Sequence, residues 1–274
     1  MSRTTIVAVV SLTALALVGA GLWWREHQMR PNPDARPLVV YAAPAVRVPL
    51  ETVARDFEAE TGRRVELRFG PSEDVLTKAG MANPADPADV FLPADDSYVR
   101  LARERELVGA GVPIATMRVV VLTAKGNPKG LATWTDLLRD GVRVAVPNPG
   151  AAVGKVAREH LAAKGKWAAL ARRAVDTGTV TEAANAAKVG GVDAAVVWDA
   201  VAVNYKDQTV LDLPELAGAT GRVEVAVLNQ SAQPDEAQRF VRFLTAPDRG
   251  LATFRAAGFA VIETPDRPAW EGAK

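Results

Sequence analysis

A strand that runs into a loop of small residues and then into a helix constrains this chain more than any other feature, because the joint recurs. The clearest copy lies between Gly141 and Leu161. Val142, Val144 and Val146 alternate as in a strand, and Pro147, Asn148, Pro149 and Gly150 break it. From Ala151 onward Val153, Val156, Ala157 and Leu161 fall at helical spacing. The first N–H groups of a helix have no partner inside it and carry partial positive charge. Such a joint can therefore hold an anion without a cationic side chain. It is also an ordinary connection in any α/β protein.

The same joint is expected at Ala42 to Ala45, at Gly70 to Ser72 and at Gly178 to Thr181. Strands are expected near 37–41, 65–69, 89–92, 117–123, 194–198 and 223–227, with amphipathic helices between them. Ser72 is a candidate N-cap, with Glu73 and Asp74 in the following turn. A helix is expected around 167–174. Strands alternating with helices give an α/β fold, mainly parallel, and the length of 274 residues allows two lobes. Ligands in such folds bind outside the carboxyl ends of the strands.

Composition removes several functions. The net charge is +1, so nothing points to nucleic acid. There is no cysteine, which excludes disulfides and thiolate metal sites, and only His27 and His160 are available as histidine ligands. No Gly-x-Ser-x-Gly elbow or phosphate-binding Gly-Lys-Ser/Thr loop is present, so no enzyme is expected. His160 reads as part of a solvated helix face. Residues 6–24 are uncharged and follow Arg3, as in an export signal or a membrane anchor. Trp23 and Trp24 favour an uncleaved anchor. Pro31, Pro33 and Pro37 mark a linker.

The order of motifs resembles that of the molybdate-binding proteins of ABC transporters, a group of type II solute-binding proteins. The resemblance rests on Val-Val-Tyr-Ala-Ala at 39–43, Arg-Phe-Gly-Pro-Ser at 68–72 and Pro-Ala-Asp-Val-Phe-Leu-Pro-Ala-Asp at 87–95. Val-Ala-Val-Pro-Asn-Pro at 144–149, Gly154, Ala-Val-Val-Trp-Asp-Ala at 195–200, Phe-x-x-Phe-Leu-Thr-Ala-Pro at 240–247 and Ala-Gly-Phe at 257–259 extend it. It implies two α/β lobes hinged by crossing strands. The expected division is a signal or anchor at 1–24, a linker at 25–37, lobe 1 at 38–117 plus 226–265, lobe 2 at 118–225 and a tail at 266–274. It also implies an extracytoplasmic monomer, with no cofactor, that carries molybdate or tungstate to a membrane permease.

The resemblance places ligand contacts at Ala45, Ser72, Val153, Val180 and Trp198. Val153 and Val180 would act through backbone N–H groups. Ala45 stands where the family has a serine, and Trp198 where it has a tyrosine. Pro44 removes a backbone donor. These departures leave open an organic anion or ferric iron as ligand. Glu73 and Asp74 beside Ser72 leave open a neutral or cationic one. An enzyme or a sensor domain on a membrane anchor is the third reading.

Overall fold

The computed structural model describes residues 36–263. The expected signal or anchor, most of the linker and the tail lie outside the described residues.

The chain opens with β1 (Leu38–Ala42), a 3-10 turn at Pro44–Val46 and helix α1 (Arg47–Thr61). Then follow β2 (Val65–Phe69), α2 (Ser72–Gly80), β3 (Val90–Leu92), α3 (Asp96–Glu104) and the long strand β4 (Val112–Thr123). The next part is α4 (Trp134–Leu137), β5 (Val144–Pro147), α5 (Ala152–Ala163), α6 (Trp167–Ala171), β6 (Ala174–Thr177), α7 (Val180–Lys188), β7 (Ala194–Trp198) and α8 (Asp199–Ala202). The chain closes with β8 (Val210–Leu211), β9 (Thr220–Val227), α9 (Pro234–Thr245), α10 (Gly250–Ala256) and β10 (Ala260–Val261).

The strands run in the order β2-β1-β3-β9-β4-β7-β5-β6. Helix-connected strands pair in parallel: β1 with β2 and β3, and β5 with β6 and β7. The antiparallel ladders all involve β4 or β9. β4 pairs with β9 as far as Arg118 and with β7 from Val119 onward. One strand thus belongs to both lobes, and β9 runs beside it in the opposite direction. This gives the two-lobe, strand-hinged α/β fold.

Each lobe fills its core with the apolar faces of its helices. In lobe 1 Phe57 of α1 meets Phe240 of α9 edge-on at 5.2 Å, and both are fully buried. Asp89 is also fully buried. It is held by a two-pronged contact from Arg36 and by the Val39 N–H and the Ser231 hydroxyl. A buried carboxylate survives only when so paired.

Three local expectations are corrected. Ser72 is the first residue of α2 and not its cap; Pro71 holds the cap position, and the Ser72 hydroxyl is turned to the neighbouring loop. The helix expected to reach residue 174 ends at Ala171, and Ala174–Thr177 form edge strand β6 beside β5. That strand is half exposed, so it lacks the apolar alternation that marks buried strands. The strand expected from Met117 begins at Val112, because its first half is an element of the hinge pairing with β9.

Candidate functional site

The strand-to-helix joints of both lobes meet at one cavity. It is lined by Ala43, Pro44 and Ala45 after β1, Pro71 and Ser72 after β2, and Ala94 after β3. From the other lobe come Ala151, Ala152 and Val153 after β5, Thr179 and Val180 after β6, and Trp198 at the end of β7. All five residues expected at the site, Ala45, Ser72, Val153, Val180 and Trp198, are therefore brought together. The cavity is small, with a volume of about 10 Å³ in which a water-sized sphere fits. Ser72, Val153 and Trp198 are each 1% exposed.

The donors can be taken one at a time. The 3-10 turn, α2 and α5 all begin at the cavity, and no side chain caps any of the three. Two helices that begin elsewhere are capped by side chains: Asp95 accepts from the Ser97 N–H, and Thr133 from the Asp136 N–H. Thr179 caps α7 through the Glu182 N–H, which leaves the earlier Val180 N–H unclaimed. The N–H groups of Ala45, Val153 and Val180 make no hydrogen bond among the described residues. Ser72 accepts from the Ala94 N–H at 3.3 Å, which leaves its own hydroxyl proton to donate. The tip of the Trp198 ring reaches the crossing strand. A Cβ added at Gly221 would stand 2.6 Å from it, so only glycine fits there beside the indole.

No charged side chain of the described residues lines the cavity. Glu73 and Asp74 lie in the first turn of α2 but are exposed. They occupy the favourable end of the helix dipole and bring no carboxylate into the cavity. Without a charged wall, charge inside is met by oriented N–H groups and hydroxyls, which suits an anion better than a cation.

Beside the cavity the lobes also touch directly. The Glu73 N–H donates to the Gly150 carbonyl at 3.1 Å. The Tyr98 hydroxyl reaches the carbonyls of Pro149 at 3.2 Å and Gly150 at 3.3 Å. Lys155 donates to the Ser97 hydroxyl at 2.8 Å. Burial, with Glu73 and Asp95 nearby, pushes the Tyr98 phenol well up. It stays protonated, and so a donor, across the physiological range. Burial also raises the Asp95 carboxyl, against the opposing pull of its hydrogen bonds from Ser97. Nothing in the sequence marks Tyr98 and Lys155 as partners across the cleft, since their spacing in the chain carries no motif.

A small site between two hinged α/β lobes, built from the helix starts of both, defines a ligand-binding protein. The chain matches the family of bacterial extracellular solute-binding proteins over residues 38–260, and it belongs to that family. Within it, the resemblance to molybdate-binding proteins holds over nearly the whole described chain. The molybdate-binding protein ModA of Mycobacterium tuberculosis is 31% identical over 234 residues, covering 84% of this chain and 87% of that protein. The periplasmic molybdate-binding protein of Azotobacter vinelandii superposes with a TM-score of 0.69 at 21% identity, covering 82% of this chain and 99% of that one. The sulfate-binding protein SubI of M. tuberculosis gives 0.71 at 20% identity, covering 84% and 88%. At such identity these two structures speak for the fold alone.

Proposed function

We propose that this protein traps a tetrahedral oxyanion, molybdate or tungstate, between its lobes outside the cytoplasmic membrane and delivers it to an ABC permease. It acts as a monomer without catalysis. The uncharged run at 6–24 directs its export or tethers it. The lobes divide near residues 117 and 226, where β4 and β9 change partners.

The observation that carries this reading is the convergence of three uncapped helix starts, the free Val180 N–H and Ser72 on a buried cavity without a charged wall. A dianion there would have donors from both lobes, so closing the lobes and binding the ligand become one event. The kinship with molybdate-binding proteins favours molybdate. Ferric iron is disfavoured by the lack of any carboxylate, imidazole or phenol on the wall.

Thermal unfolding against molybdate, tungstate, sulfate, phosphate and ferric citrate tests this. A ligand at about 100 times its dissociation constant adds about 2.7 kcal/mol, a rise in Tm of about 5–11 °C for a protein of this size. The expected result is a rise with molybdate and tungstate and none with sulfate. A cooperative melt that none of the first three moves would remove the oxyanion assignment and leave the fold.

Ala45 offers a second check. It lines the cavity and is 7% exposed, at the position where the resemblance leads one to expect a serine. Ala45→Ser adds a hydroxyl donor toward the anion. The gain expected is about 1.5 kcal/mol, or about tenfold tighter binding in a calorimetric titration. A weaker complex would mean that the added oxygen meets another acceptor, and the ligand would have to be reconsidered.

A further inference from the structure

Three donors cross from one lobe to the other without lining the cavity: the Tyr98 hydroxyl, the Lys155 ammonium and the Glu73 N–H. Tyr98 and Ser97 stand on α3 of lobe 1, and Lys155 on α5 of lobe 2. Tyr98 is 5% exposed, and its hydroxyl is shared between the carbonyls of Pro149 and Gly150. Lys155 donates to Ser97, and Ser97 in turn donates to Asp95, so the row Lys155–Ser97–Asp95 has one direction of hydrogen bonding. The Lys155 ammonium also lies 4.9 Å from the centre of the Tyr98 ring. The Glu73 N–H completes the set on Gly150. All of these contacts except the one between Ser97 and Asp95 are lost if the lobes part.

We propose that Tyr98 and Lys155 form a latch that holds the lobes together in the absence of ligand, and so set the affinity of a site they do not touch. This rests on the role of the protein as a ligand trap, but not on which ligand it takes. The latch also grips the loop that ends at Ala151, two residues before Val153. It therefore fixes the start of α5 at the same time as it shuts the cleft. A site whose competent form is only partly populated binds with its affinity reduced by that fraction. If the latch acts on closure alone, the closed fraction of free protein and the dissociation constant must move by the same factor in opposite directions.

The chain has no cysteine, so two labels can be placed cleanly by Met81→Cys in lobe 1 and Val189→Cys in lobe 2, both at exposed positions. Single-molecule energy transfer on the full-length chain then reads the closed fraction without ligand, and titration with molybdate reads the dissociation constant. Tyr98→Phe combined with Lys155→Met is expected to lower the ratio of closed to open free protein by about tenfold and to weaken binding correspondingly. Saturating ligand should return the variant to the closed signal of the parent. Lys155→Arg, which can still donate to Ser97, should recover most of the closed fraction. The latch is overturned if the free parent is as open as the double variant. It is equally overturned if binding weakens while the closed fraction stays fixed, since the residues would then act on the ligand. Failure of the parent to bind molybdate would count against the proposed function, and the ligand-free measurement would still decide the latch.

Discussion

Gly154→Ala is expected to cost about 3 kcal/mol of stability, a fall in Tm of about 6–12 °C, and to weaken ligand binding at least tenfold. A Cβ at Gly154 would stand 1.9 Å from the Pro147 carbonyl oxygen and 2.5 Å from that of Asn148. Both obstacles are backbone, so no side chain can swing aside. The helix start must move, and the cost lies at the upper end for inserting a methyl into packed structure. The Val153 N–H belongs to the same turn and moves with it. A shift of about 1 Å is enough to spoil a hydrogen bond to an anion held from several sides. Melting without ligand and calorimetry with it would separate the two effects. Unchanged values in both would show that α5 is not pinned against the end of β5.

Ser72→Ala is expected to weaken binding by about 10–150-fold and, separately, to destabilise the free protein by about 1–3 kcal/mol. The hydroxyl is buried and has two tasks. It takes the Ala94 N–H, and it keeps a proton for the cavity. Loss of a donor to an ionised ligand costs about 1.5–3 kcal/mol. The orphaned Ala94 N–H is a buried unpaired donor with or without ligand, and that cost appears in the melt of the free protein. A variant with full affinity and a lowered Tm would leave Ser72 as a purely structural acceptor and take it out of the site.

Much of the fold was legible because each buried element carries its own period. Val142, Val144 and Val146 announce a strand, and Leu50, Val53, Ala54 and Phe57 a helix face, all of them buried. The half-exposed β6 and the hinge half of β4 were not legible, because partners distant in sequence decide their pairing. The cavity was anticipated as a meeting of joints, and the five expected residues lie together on its wall. Ala94 on that wall was missed, whereas Thr179 falls inside the joint expected at Gly178 to Thr181. Ala94 lies in the block at 87–95, but it takes part through its backbone, which no side-chain pattern reports. The orientation of Glu73 and Asp74 also needed coordinates, since a helix turn of either hand-over to the cleft has the same sequence.

The position of β9 bears on how the molecule assembles. It lies between β3 and β4, yet it is made about a hundred residues after β4 begins. Everything from Val119 to Ala219 can settle among near neighbours in the chain, and low contact order favours quick folding. Lobe 1 must wait. Until β9 arrives, β3 and the first half of β4 present open edges, the kind of surface on which chains aggregate. Growth from the amino end thus yields a half-built sheet first and a finished inner lobe second. The strand that closes the outer lobe also completes the hinge, so the molecule gains its stability and its capacity to move in the same late step.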